Sequence, residues 1–173
     1  MTAQTDATTT ATAATAPDTA RIYQEGLVAG ILGAGAVALW FFVLDLVNGR
    51  PLYTPTVLGT ALFHRGALSS LETLPVSMEM VLMFTWVHGL AFAAIGGLVS
   101  RLLTTAERHP NLGFGILLLF VIFEAGFTVA AMLFAAPVLR ALTWPAILVA
   151  NLVAAAAMAA YFWVRHPTLR VNP

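Results

Sequence analysis

The chain has 173 residues, 60% of them hydrophobic and 9% charged, with a formal net charge of zero. A soluble domain carries about 25% charged residues, so this composition, with a mean hydropathy of +0.87, is that of an integral membrane protein. It excludes a basic nucleic-acid-binding face, and the absence of cysteine excludes disulfides, thiolate metal sites and cysteine nucleophiles.

Residues 1–20, MTAQTDATTTATAATAPDTA, are mostly Thr and Ala. They lack the basic start and apolar core of a signal peptide and cannot bury enough apolar surface to fold. We expect a disordered tail over 1–20, followed by a membrane domain over 21–173 whose first span is an uncleaved anchor.

A membrane-crossing helix needs about 20 mostly apolar residues. Four stretches qualify: 25–47, 76–103, 112–133 and 145–164. Turn and cap signals separate them, among them Asn48-Gly49-Arg50-Pro51, Arg108-His109-Pro110-Asn111 and Ala136-Pro137. Pro145 suits the first turn of the last span, where its missing N–H is harmless. The expected fold is therefore all-α, a polytopic bundle of four transmembrane helices.

The connection after the first span, 48–75, is long for a helix–helix link. Thr54-Pro55 reads as an N-cap followed by proline at the first helical position. Val57, Leu58, Ala61, Leu62, Leu68 and Leu71 follow in a broadly amphipathic pattern. This predicts an interfacial helix over about 55–70. Arg21, Arg101, Arg108, Arg165 and Arg170 fall on one side of the membrane and Arg50, Arg65 and Arg140 on the other. That asymmetry places both termini in the cytoplasm. Trp144 falls at the outer interface, and Tyr161 and Trp163 at the inner one, as an aromatic belt requires.

Small residues predict the packing faces. Gly26 and Gly30 form a GxxxG step continued by Gly33 and Gly35. Gly89, Ala93 and Gly97 repeat every four residues in the second span, and Asn151, Ala155 and Ala159 in the fourth. Such stripes let helices approach closely in lipid.

Four polar side chains stand out within the spans: Asp45, His88, Glu124 and Asn151. At about 1.5 Å per residue, His88 lies about 15–18 Å from the outer end of its helix and Glu124 about 18 Å from the inner end of its own. Both are near mid-membrane. Thr85 lies on the side of His88, and Thr128 on the face of Glu124. A charged carboxylate at that depth costs several kcal/mol, on the order of the translocon scale, so Glu124 is expected to be protonated or paired, with His88 as the nearest partner. Asp45, near the outer end of its span, is expected to be hydrated. With His64 it forms the outer mouth. Arg108, His109 and Glu107 read as a solvated inner loop, and Arg165 and His166 as headgroup-level residues.

Intramembrane ionisable groups point by default to function, but a metal site commonly uses three or four ligands. Only His88 and Glu124, with Asn151, offer themselves inside the spans. No HxxxH or ExxH spacing suggests a di-iron bundle, and no nucleophile elbow, Walker loop or HExxH occurs. No catalytic residue is therefore assigned.

Three runs, GRPLYTPTVLGTALF after the first span, WVHGLAF in the second and FEAGF in the third, resemble a group of small, uncharacterised bacterial membrane proteins with four helices. The resemblance covers residues 22–167. It implies a bacterial inner-membrane location and transfers no activity. The leading functional expectation is an accessory or scaffold subunit that associates through small-residue helix faces, as a homo-oligomer or within a larger membrane complex. The alternatives are a haem- or transition-metal-binding or proton-handling protein centred on His88 and Glu124, and a small dimeric transporter.

Overall fold

The computed structural model describes residues 16–64, 74–108 and 143–166. These contain four helices and no strand: α1 Ala16–Val47, α2 Tyr53–Phe63, α3 Met78–Arg108 and α4 Trp144–Arg165. Three of them are long and apolar enough to cross a membrane, over Thr19–Val47, Met78–Glu107 and Trp144–Arg165. They correspond to the first, second and fourth predicted spans. The third predicted span, with Glu124 and Thr128, lies outside the described residues, as do the first fifteen residues of the expected tail.

α1 is the central element and packs against both α3 and α4, while α2 lies against α3. α1 begins at Ala16, nine residues before the predicted start of its span. Pro17 suits such a position, since its φ is already helical and a first-turn residue has no intrahelical N–H bond to lose. The helix therefore takes in the last five residues of the segment expected to be a tail.

The α1–α3 contact is built on backbone. A Cβ added at Gly26 would lie 2.6 Å from the Cα of Gly97 and 2.7 Å from the carbonyl oxygen of Gly96. One added at Gly30 would overlap the Phe92 carbonyl, and one at Gly96 would overlap the Gly26 carbonyl. The predicted GxxxG step of α1 is thus a packing surface. On α3 two residues of the predicted stripe take part: the Cα of Gly97 faces Gly26 and that of Ala93 faces Gly30. Among the described residues a Cβ on Gly89 or Gly97 would meet nothing within 4 Å, and the residue that has to be glycine is Gly96, which the stripe left out.

α4 also presents a different row from the predicted one. Ala155 and Ala159 are exposed, whereas Ala150, Ala154, Met158 and Phe162 are buried. Met158 and Phe162 form the core with Ala29, and Phe92, Val99, Leu103 and Tyr161 pack around them. Asn151 sits half-buried beside this row. Large apolar side chains such as Ile31, Leu39, Leu82, Trp86, Leu90, Leu152 and Trp163 point outward, as the lipid-facing side of membrane helices does.

Candidate functional site

Polar side chains gather at the two ends of the long helices, with a few single contacts between. At one end Asp45 leaves α1 two residues before the helix stops. It is 4% exposed, so the expectation of a hydrated carboxylate is overturned. One carboxylate oxygen accepts the backbone N–H of Thr54 at 2.8 Å, and the other accepts the Thr54 hydroxyl at 2.7 Å. The reach is possible because the chain reverses tightly: Gly49 has φ 69° and Leu52 has φ 63°. Glycine adopts the left-handed region freely, and Leu52 is held there by its surroundings.

This contact also corrects the cap predicted at Thr54-Pro55. α2 starts at Tyr53, and Leu52 precedes it with no side-chain cap. Thr54 lies inside the first turn, and its N–H is capped by Asp45 from another helix. The buried face of α2 is correspondingly polar and small: Tyr53, Thr54, Thr56, Val57, Gly59 and Thr60. Gly59 lies against the Met80 backbone, and the Thr56 hydroxyl donates to the Leu52 carbonyl at 2.8 Å. Leu62, on the predicted apolar face, is exposed and Leu58 is half-buried. The helix packs against α3 with Gly59 on the Met80 backbone.

Between Asp45, α2 and the start of α4 lies a cleft of about 400 Å³. Its polar side carries Asp45, Asn48, Arg50, Tyr53, Thr54 and Thr143, and its apolar wall is Phe41, Leu44 and Ala146. The Arg50 guanidinium lies 3.6 Å from the centroid of the Tyr53 ring. His64, predicted to share this mouth, stands exposed at the C-terminal end of α2 and does not line the cleft.

The other end holds a five-residue ion network. Glu25 is 5% exposed. Its Oε1 accepts from Arg21 Nε and from Arg165 Nη2, each at 3.0 Å, and its Oε2 lies 3.2 Å from His166 Nε2. His166 Nδ1 lies 2.8 Å from Glu107 Oε1. A neutral imidazole has one N–H, so it donates to one of these carboxylates at a time, whereas the imidazolium donates to both. The network joins α1, the end of α3 and the end of α4. Arg165 and His166, expected at headgroup level, are thus tied to one buried carboxylate, and Glu107, expected to be solvated, is linked to it through His166. The signal was available: Arg21 and Glu25 are spaced i, i+4, and the predicted topology puts Arg165 and His166 at the same membrane face.

In the middle, His88 Nε2 lies 3.3 Å from the Ala34 carbonyl of α1. A carbonyl only accepts, so this contact requires the proton on Nε2 and leaves Nδ1 as the acceptor of a neutral ring. Phe84 stacks on the imidazole at 5.4 Å and Phe92 tilts against it at 4.8 Å. His88 therefore faces a neighbouring helix, as its position beside the small residues predicted. Its proposed partner Glu124 is outside the described residues. Thr85 turns back on its own helix, donating to the Val81 carbonyl at 2.7 Å. Two further bonds cross between helices: Trp40 Nε1 to the Ala146 carbonyl at 3.0 Å, and Ser100 Oγ to the Ile22 carbonyl at 2.8 Å.

Among the described residues no group of three or more His, Asp or Glu side chains is arranged to hold a metal ion. No protein-family model, curated protein or solved structure matches the chain.

Proposed function

We propose that the protein is a membrane-embedded scaffold or accessory subunit, which associates with itself or with a larger membrane complex. The observation that carries this reading is how the polar side chains are used. His88, Ser100 and Trp40 each engage a backbone carbonyl of another helix. Asp45 holds α2, and Glu25 holds the end of α4. Groups spent in this way fix helix positions and are not set out around a reacting atom. Interhelical bonds of this kind are worth about 0.6 kcal/mol each on average, and several in parallel specify one arrangement. The exposed apolar residues of α1, α3 and α4 are the surface on which lipid or another membrane helix packs. A bacterial inner-membrane location with both termini cytoplasmic belongs to the same proposal.

Cross-linking in intact membranes, followed by mass spectrometry in mild detergent, tests it. The expected result is a defined oligomer or a stoichiometric membrane partner. A monomer carrying about one equivalent of iron, copper, zinc or haem, lost in His88→Ala, would replace this reading with that of a cofactor protein. Such a ligand would use His88 Nδ1, because Nε2 is turned to Ala34.

A further inference from the structure

We propose that His166 is a proton-operated clasp between the ends of α3 and α4. The imidazolium bridges Glu25 and Glu107. The neutral ring keeps Glu25 and releases Glu107, so the two helix ends part as pH rises. This does not depend on the scaffold reading. Three features lead to it.

The first is the count of protons. Both ring nitrogens lie against carboxylate oxygens, Nε2 at 3.2 Å from Glu25 Oε2 and Nδ1 at 2.8 Å from Glu107 Oε1. An ionised carboxylate only accepts, so both contacts are hydrogen bonds only when both nitrogens carry a proton. Among the described residues the charged groups around the ring come from three helices: Glu25 and Arg21 from α1, Glu107 from α3 and Arg165 from α4. Arg21 and Arg165 both donate to Glu25 Oε1, whereas the imidazole takes Oε2.

The second is which bond the neutral ring keeps. Glu25 is 5% exposed, and taking the donor from its Oε2 costs the desolvation of a buried charged acceptor. The Glu107 side chain is 31% exposed and can take water instead. The single proton therefore stays on Nε2, and the Nδ1 lone pair then faces a carboxylate that repels it. The third is position. Glu107 lies in the last turn of α3, and His166 caps α4, its backbone N–H bonded to the Phe162 carbonyl. Helix C-termini carry partial negative charge, so a proton on His166 holds two such ends and Glu107 together. Among the described residues this is the polar side-chain contact that joins α3 to α4. Histidine changes charge between about pH 5 and 8. The clasp is therefore closed at the acid end of that range and lost at the alkaline end.

The chain contains no cysteine, so spin labels can be placed at Thr105→Cys on α3 and Val164→Cys on α4, both exposed positions. Double electron–electron resonance on the full-length protein in lipid nanodiscs then reads the distance between the helix ends. In this labelled parent a longer distance should become populated as pH rises from about 5.5 to about 8.5. The closed-to-open ratio should fall about fivefold, which corresponds to about 1 kcal/mol. Glu107→Gln should abolish the response, because the amide can donate to the neutral Nδ1 or accept from the imidazolium. That variant retains all four histidines, so a response arising at His64, His88 or His109 would persist in it. His166→Ala should hold the longer distance at both pH values, which decides the matter if Glu107→Gln does not fold. A distance that does not change with pH in the labelled parent, or the same change in Glu107→Gln, overturns the proposal.

Discussion

The α1–α3 contact makes opposite predictions for two glycines seven residues apart on one helix. Replacing a helical glycine by alanine gains about 1 kcal/mol of helix propensity, and that gain is common to Gly89→Ala and Gly96→Ala. At Gly89 the new Cβ meets nothing within 4 Å among the described residues, so against α1 the gain stands alone. At Gly96 it would overlap the Gly26 carbonyl and lie 2.7 Å from Gly30 N and 3.0 Å from Gly30 Cα. All three atoms are backbone and cannot rotate away, so α1 and α3 have to separate. Overpacking of this kind costs about 1–3 kcal/mol. The difference between the two variants cancels the propensity term and isolates the packing term, about 1–3 kcal/mol. For a chain of this size each kcal/mol moves the unfolding midpoint by about 2–4 °C. Thermal unfolding in one mild detergent, followed by tryptophan fluorescence, resolves that. Gly89→Ala should hold or raise the midpoint, and Gly96→Ala should fall several degrees below it. If the two move together, the backbone contact at Gly96 does not hold α1 to α3.

Asp45→Ala should cost about 1–3 kcal/mol by orphaning the Thr54 donors. Its signature is faster hydrogen exchange over residues 53–60 with α4 unaffected, and uniform acceleration would refute the link. Glu25→Gln should destabilise more than Arg21→Gln, because Arg21 is 66% exposed and such a pair is worth at most about 1 kcal/mol. A double-mutant cycle between Glu25 and Arg165 should give a non-zero coupling, and strict additivity would mean that the ends of α1 and α4 are not joined there. Trp40→Phe should cost about 1 kcal/mol through the lost bond to the Ala146 carbonyl, read by the same unfolding assay, and an unchanged midpoint would dismiss that bond.

The spans were legible because length and apolar composition alone define them, and the three that are described fall where expected. The faces were harder to read. On α4 almost every residue of WPAILVANLVAAAAMAAYFWVR is small or apolar, so no polar contrast marks the buried side. Anchoring the pattern on Asn151 shifted it by one residue from Ala150, Ala154, Met158 and Phe162. Gly89 and Gly96 lie on one side of α3, but only a partner's position distinguishes the glycine that must be bare from the one that need not be. Asp45 was misjudged for a different reason. Depth alone suggested hydration, and its partner lies nine residues on, across a turn that needs Leu52 at positive φ. Sequence periodicity carries no signal for such a turn.

The two carboxylates together define the scale of the molecule. Glu25 and Asp45 are twenty residues apart on α1, about 30 Å at 1.5 Å per residue, which is the thickness of a bilayer's hydrocarbon core. The nineteen residues between them, GLVAGILGAGAVALWFFVL, carry no ionisable side chain. On α4, Trp144 and Arg165 are separated by twenty-one residues, about 32 Å, and bracket the same slab. Among the described residues the buried carboxylates, Glu25 and Asp45, therefore sit at the levels where hydrocarbon ends and the cost of charge is least. Inside the slab the described contacts between helices are glycine on backbone, apolar side chains such as Met158 and Phe162 packed on Ala29, or a neutral donor on a carbonyl. Helices packed this way have their axial register set by ionic clasps at their ends and their separation set by glycines in between. Beyond the Glu25 clasp α1 continues for nine more residues to Ala16, about 13 Å past the slab. Register set at Glu25 fixes where that extension emerges from the slab.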